Sequence, residues 1–520
     1  LSKVLFNKIC EIIDYMRIIF EIANNHQGKV SHFNKILNDI KNSIEPYKNQ
    51  FEFCIKFQFR DIPTYIDSAI DPISNKHISR FKETTLKKNE WEEIIKSVKA
   101  NGFKTIVTPF DEASVKKAID LKIDEFKIAS CSSTEWTLLK KVIDSGKYVT
   151  VSTGGRNIEE IDDIYSYFAH LIPNKFTIMH CCGIYPAPLQ NLNLNSIAKF
   201  IKRYPLASIG YSGHEDPNDH SISSLAISLG ASSIERHIGK EDLENNIKIN
   251  AYSLDSDLIS SWLKELSKTI TVLGAPKDDK YKNKDELESL LSLQRGVFID
   301  KKIKSGERIN PDDCIFKFPI QHNQVSAAEI GSKYNLFLAK EDLVPGTRLI
   351  KDLVDLNHPN ERILKNYIHK IRGIINEYAE YIPDDINIEV SHHYGIKLIE
   401  KYGCCLINII NRNYCKKLII MTNGQTHPTQ HHDVKEETFR ILFGEVEINL
   451  NGEIKRLYRG EEALIKAGTK HSFKAITNAV IEELSTTSFN SDSYYEDEKI
   501  NKLARGERKT ILNLHFDYYK

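Results

Sequence analysis

The chain has 520 residues, several times an ordinary domain, so two to four domains are expected and a single compact core is excluded. Its 41% hydrophobic and 27% charged residues are the composition of a globular protein and exclude wholesale disorder. Lys plus Arg equals Asp plus Glu at 71 each, which gives no net field to draw in nucleic acid or an anionic membrane. No apolar run approaches the roughly 20 residues that span a bilayer, and the opening LSKVLFNKICEIIDYM, broken by charge, predicts an amphipathic helix instead of a signal peptide. The nine cysteines are odd in number and form no C-x-x-C, which predicts a reduced, cytoplasmic protein with free buried thiols.

From residue 17 to about 275, β-rich stretches alternate with helical patterns, the rhythm of βα units and a parallel sheet. The predicted strands are RIIFEI (17–22), FCIKF (53–57), TIVTPF (105–110), EFKIAS (125–130), YVTVS (148–152), FTIMH (176–180), ASIGYS (207–212) and SSIERHI (232–238). Eight such strands are what a (β/α)8 TIM barrel requires. An open doubly wound sheet is the alternative, but no Gly-rich phosphate turn follows the first strand.

A barrel builds its site at the C-terminal ends of its strands, and here those ends are polar. In order they carry Glu21 with Asn24, Asn25 and His26; Lys56 with Gln58; Thr108 with Asp111; Lys127 with Ser130; Ser152 with Thr153; His180 with Tyr185; Ser212 with His214; and Glu235 with His237. Lys56 and Lys127 lie inside apolar strands, where an unpaired ammonium is expensive. Either they cradle a phosphate or carboxylate together with Thr108, Ser130, Ser152 and Ser212, or each pairs with a barrel glutamate such as Glu21 or Glu235. His214 and His237 end consecutive strands, either as ligands of a divalent metal or as hydrogen-bonded rim residues.

The segments EIANNHQG (21–28), IKFQ (55–58), TPFD (108–111), FKIAS (126–130), STGG (152–155), HCCGIYPAP (180–188), IGYSGHE (209–215) and IERHIG (234–239) resemble the sialic acid synthase (N-acetylneuraminate synthase) family over about residues 17–355. The resemblance implies a transferase that condenses phosphoenolpyruvate with a sugar aldehyde, an N-acylated mannosamine or a related aldose, to give a nonulosonic (sialic-acid-like) acid and phosphate. It further implies that His214 and His237 hold Mn or Mg, that Lys56 and Lys127 bind phosphoenolpyruvate with help from Gln58, Thr108, Ser130, Ser152 and Ser212, and that Tyr185 faces the sugar. Glu21 or His180 would move the protons. Departures fall on the sugar side: CSS (131–133), Gly183 and KINAYSLD (248–255) replace the family's usual residues and imply an altered acceptor. The alternatives are a non-catalytic sugar-binding protein that retains the barrel, or a bifunctional synthase with a sugar-isomerising second half.

Residues 290–355, with the turns KSGE and VPGT, predict a small β-rich domain. It resembles the SAF or antifreeze-like domain that in such enzymes caps the partner's barrel across a homodimer, although Phe318, Pro319 and Ile320 stand where an arginine stretch is usual. Residues 356–385 read as a helical connector, and 386–520 as an antiparallel barrel. The expected domains are therefore 1–285 with an N-terminal extra helix, 286–355, the linker 356–385, and 386–520. The last resembles a cupin through His432, Glu437 and Gly444, then Gly460 and His471, with Gln430 in place of the first motif's leading histidine. Gln430, His432, Glu437 and His471 form a set suited to Zn, Mn, Fe or Ni, with His427 and His431 in reserve. A metal-free, sugar-binding cupin is the alternative, and binding is favoured over catalysis because no second base is evident.

Overall fold

Hydrogen bonding, burial and register come from a computed structural model that describes residues 16–70, 75–274, 283–332, 335–378 and 386–513. The expected N-terminal helix lies outside the described residues. Contacts divide the chain into two compact units, with the boundary in the sequence near residue 280.

In the first unit, strands β1 (Met16–Ala23), β2 (Phe51–Phe59), β3 (Lys104–Pro109), β4 (Glu125–Ile128), β5 (Tyr148–Ser152), β6 (Phe176–Cys181), β7 (Ser208–Gly213) and β8 (Ser233–His237) close into a parallel barrel in sequence order. The eight strands are those read from the sequence. Side chains on each strand alternate between the helix layer and the interior. The outer set, with Ile18, Phe20, Ile55, Phe57, Phe126 and Ile234, is buried against the helices. The inner set is layered. Arg17 pairs with Glu125 at 2.7 Å and Glu52 at 2.6 Å at the N-terminal end. Ile19, Cys54, Ile106 and Met179 form an apolar plug, and above it sit Glu21, Lys56, Lys127 and Glu235. Register between β1 and β2 shifts after Glu21, where Ala23 takes a φ of 47°; such a bulge re-aims one side chain at a strand end. No helix among the described residues is long and apolar enough to cross a membrane.

In the second unit, β9 (Gly296–Ile299), β10 (Arg308–Ile309), β11 (Cys314–Lys317), β12 (Leu336–Ala339) and β13 (Val354–Asn357) build a small β-rich body. Its core includes Val297, Ile299, Val325, Phe337 and Leu349. Strands β14 (Asn387–Ser391), β15 (Cys404–Asn411), β16 (Tyr414–Met421), β17 (Thr426–His431), β18 (Glu437–Phe443), β19 (Glu445–Leu450), β20 (Glu453–Tyr458), β21 (Glu462–Ile465), β22 (His471–Ala475), β23 (Ala479–Thr486), β24 (Tyr494–Tyr495) and β25 (Lys509–Asn513) form two antiparallel sheets. One has the order β21-β18-β23-β16-β15-β14-β25 and the other β20-β19-β22-β17-β24.

The helix Asn360–Tyr378 corrects the expectation of a connector. Leu364, Tyr367, Ile368, Ile371, Ile374 and Ile375 form its apolar stripe and pack with Ile388, Val390, Ile407 and Ile420 of the larger sheet. A solvated linker would leave that stripe in water, at roughly 1.5–3 kcal/mol per large side chain. The eight described cysteines are unpaired, as expected, but Cys131 is exposed instead of buried.

Candidate active site

The interior alternation of β1, β2, β4, β7 and β8 brings Glu21, Lys56, Lys127, Ser212 and Glu235 together, each at most 4% exposed. Glu235 accepts from Lys127 at 2.9 Å, from Lys56 at 3.0 Å and from the Ser212 hydroxyl at 2.9 Å. Glu21 pairs with Lys56 and accepts from the Ala23 amide at 2.7 Å, the amide that the bulge turns inward. Gln58 donates to Glu21 at 3.4 Å. Both lysines pair with these glutamates, Lys56 with Glu21 and Glu235 and Lys127 with Glu235. The two pairs cancel, so the floor of the site is charged but neutral in sum.

Burial depresses Lys56, but Glu21 and Glu235 outweigh it and hold the ammonium above the usual lysine value. For Lys127 burial prevails over Glu235, and its pKa is lowered. Glu235, which burial alone would raise, is held well below the carboxylate range by Lys127 and Lys56.

His214 and His237 stand at the same mouth with ring centroids 5.3 Å apart. His214 Nδ1 lies 3.0 Å from the Cys182 carbonyl, which fixes the proton there and leaves Nε2 as a lone pair. His237 Nδ1 is buried without a partner. Burial, then the neighbouring His237 for one and Lys56 for the other, lowers both to about 3. Two neutral imidazoles, one with an orphaned buried nitrogen, fit a divalent metal whose remaining positions would be taken by substrate or water oxygens. Tyr252 packs 5.0 Å from His237 and Tyr185 4.3 Å from His214.

Three further predicted residues join the site. Thr108 has a buried, unpartnered hydroxyl, and Ser152 is buried at the end of β5. The Ser130 hydroxyl accepts from the Gly154 amide at 2.9 Å. A Cβ on Gly154 would stand 2.9 Å from that hydroxyl and 2.8 Å from Cys181 Sγ, so only glycine lets the β5 turn close here.

His180 is a correction. Met179, one residue earlier, faces inward and meets Lys127 Nζ at 3.3 Å, so alternation turns His180 outward. Its Nε2 lies 2.6 Å from the Leu192 carbonyl and its ring packs on Phe200. It is bound into the helix layer and does not face the reacting centre.

The mouth opens into a cavity of about 2020 Å3 that Gln58, Ser130, Tyr185 and His237 help to line. Sequence reasoning missed Arg60 and Arg80 in its wall, while Asn250 and Tyr252 come from the 248–255 segment placed on the sugar side. Strand alternation carried one signal: Arg60 continues the inward series of Lys56 and Gln58.

In the cupin-like half, Glu437 Oε2 lies 3.6 Å from His432 Nε2 and 3.4 Å from His471 Nε2. Gln430 Nε2 is 3.3 Å from His471 Nε2. His432 Nε2 and Glu437 Oε2 are buried without hydrogen-bond partners, and the three groups make the only set of three or more metal-capable ligands among the described residues. The reserve ligands do not converge: His427 Nε2 is 3.2 Å from His393 Nε2, and His431 faces Asp433 at 3.5 Å. A cavity of about 300 Å3 adjoins the trio, with Lys417, Lys435, Glu483 and Lys509 in its wall. Burial and Glu483 raise Glu437 to about 7.

The NeuB family profile matches residues 53–278 and a cupin domain profile residues 417–486. The human N-acetylneuraminate-9-phosphate synthase is 26% identical over 267 residues, 50% of this chain and 71% of that protein. The N,N'-diacetyllegionaminic acid synthase of Campylobacter jejuni is 27% identical over 331 residues, 62% of this chain and 94% of that one. The crystal structure of a candidate spore coat polysaccharide biosynthesis protein E from Chromobacterium violaceum superposes with a TM-score of 0.60 at 36% identity, covering 65% of this chain and 99% of that one. This chain covers that relative almost end to end at 36% identity and matches the NeuB profile through its barrel, and it belongs to the NeuB family.

Proposed function

We propose that the barrel is a transferase that condenses phosphoenolpyruvate with a sugar aldehyde to form a nonulosonic acid and release phosphate. The observation that supports it best is the Lys56–Glu235–Lys127 lattice directly beneath the His214–His237 pair: cation donors for an anionic enol and neutral nitrogens for a metal share one mouth. Lys56 and Lys127 hold the phosphate and carboxylate, with Ser130, Ser152, Ser212 and Thr108 as neutral donors. His214 and His237 would hold a divalent ion, Mn or Mg, which would supply Lewis acidity at this mouth. The enol C3 then bonds to the aldehyde carbon, whose oxygen ends with the proton that Glu21 takes from the attacking water. Water adds at C2, and the C2–O bond to phosphate breaks. Glu21, fixed by Lys56 and the Ala23 amide, accepts the proton that the water gives up. Tyr185 and Tyr252 face the sugar.

The small β-rich body is read as an SAF-like cap for the barrel of a homodimer partner. Phe318, 62% exposed, stands where an arginine is usual, in keeping with an altered acceptor. The working compartment is the cytoplasm, where phosphoenolpyruvate is made. The cupin is read as a sugar-binding module with a transition metal on Gln430, His432, Glu437 and His471.

Phosphate release from phosphoenolpyruvate across a panel of aldoses, with and without added Mn, tests the synthase. Metal-dependent release with at least one N-acylated hexosamine is expected, and a chain ending near Asp355 is expected to retain it. Release in neither would leave a sugar-binding protein. For the cupin, elemental analysis of His214→Ala protein, which lacks the barrel's pair, is expected to find a transition-metal ion that is lost when His432→Ala or His471→Ala is added; equal metal content in these variants would remove the assignment.

A further inference from the structure

This inference rests on the condensation reading and concerns what the second substrate carries. On β2 the inward positions run Cys54, Lys56 and Gln58, and Arg60 follows in the same phase just past the strand end. Its guanidinium is clamped between two aromatic faces, 3.9 Å from the Phe81 ring centre and 3.7 Å from that of Phe110. Nη2 donates to Gln58 Oε1 at 3.0 Å. Nε is buried and has no partner. No carboxylate lies within ion-pair distance of Arg60 among the described residues. The two rings favour the cation, but its buried Nε is left unpaired and no carboxylate balances its charge, a deficit that a bound anion would fill.

The rest of the cavity sharpens the point. The lysines of the floor are engaged by Glu21 and Glu235 and, on the condensation reading, by phosphoenolpyruvate. Arg156 is tied to Glu160 at 3.1 Å. Arg80, half-buried in the same wall, also has no carboxylate partner among the described residues. The cavity's acidic wall residues, Asp67 and Glu83, pair with neither arginine. Arg60 stands two inward positions beyond Lys56, on the mouth side of Gln58, whose amide accepts from Arg60 and donates to Glu21.

We propose that Arg60, with Arg80 beside it, is an anion receptor for the acceptor, so that the sugar entering this mouth bears a phosphate or carboxylate. The planar guanidinium, stacked between Phe81 and Phe110 in the cavity wall, is a group suited to bidentate contact with either.

The test is calorimetric binding to the full-length protein in the presence of phosphoenolpyruvate, using neutral N-acetylhexosamines, their 6-phosphates and the matching hexosaminuronates. Wild type is expected to bind one anionic series roughly 10- to 100-fold more tightly than its neutral parents, the range of a charge-assisted contact. Arg60→Gln is expected to reduce that preference to less than about threefold, with affinity for neutral sugars and for phosphoenolpyruvate unchanged. Arg80→Gln is expected to cause a smaller loss in the same direction, and it serves as the test if Arg60→Gln does not fold. Equal binding of neutral and anionic sugars by wild type overturns the proposal. So does a loss in Arg60→Gln that is shared by neutral sugars, which would make the clamp structural, or one confined to phosphoenolpyruvate. Arg60-dependent binding of an anionic sugar with no phosphate release would preserve the receptor and tell against condensation.

Discussion

Glu235→Ala is expected to lower the stability of the barrel by about 3–5 kcal/mol, the cost of breaking a buried pair from one side, and to abolish phosphate release. Glu235 is the shared acceptor of Lys56, Lys127 and Ser212. Without it two buried ammoniums face each other, with Glu21 as their nearest counter-charge. Glu235→Gln keeps the volume and one acceptor, so a smaller loss is expected. Urea unfolding at pH 7 measures the difference, and values within about 0.5 kcal/mol of wild type would show that the lattice does not bear on stability. The pH dependence has a definite sign. Glu235 is depressed in the folded state, so its contribution is complete above the unfolded carboxylate value of about 4.3 and is lost as the pH falls through the folded value. Glu235→Gln should therefore remove part of the acid sensitivity of wild type. Phosphoenolpyruvate should restore stability to Glu235→Ala, because an anion replaces the missing charge.

The second large effect is expected at the histidine pair. His237→Ala should reduce metal-dependent phosphate release by about 100-fold or more, the scale on which one electrostatic stabiliser acts at a developing oxyanion. The fold should survive, since the apolar plug of Ile19, Cys54, Ile106 and Met179 lies below the ring. His214→Ala should behave similarly. The unfolding midpoint of the chain ending near Asp355, which lacks the cupin ligands, measured with and without Mn, provides the control: Mn should stabilise the wild-type barrel and leave both variants unmoved. Full activity in either variant would end the metal assignment.

The barrel was legible because a parallel strand buried on both sides leaves a strong apolar signal, and polar residues at eight strand ends had one place to converge. Lys56, Lys127, Ser212, Glu235 and His237 were found for that reason. The choice between an anion and a glutamate as the lysines' partner was not legible, since cross-barrel distance depends on the stagger of non-neighbouring strands. His180 failed by a single residue: the reading counted it as a strand end without fixing the phase, which the Met179 contact with Lys127 sets. Arg60 was passed over because it stands one residue beyond the strand, where loop residues are ordinarily solvated. Its aromatic clamp is assembled from Phe81 and Phe110, which lie 21 and 50 positions later in the sequence. In the cupin, motif spacing was enough to bring His432, Glu437 and His471 together, and it also placed Gln430 beside them.

The helix Asn360–Tyr378 changes what counts as the second domain. Because six of its side chains lie in the core of the larger sheet, a fragment beginning at residue 386 would expose that core and lack part of its own interior. Helix and sheet form one cooperative unit: amide protons of Ile368 and Ile371 should exchange through the same opening event as those of Ile388 and Ile407. The smallest autonomous version of this half therefore begins upstream of Asn360.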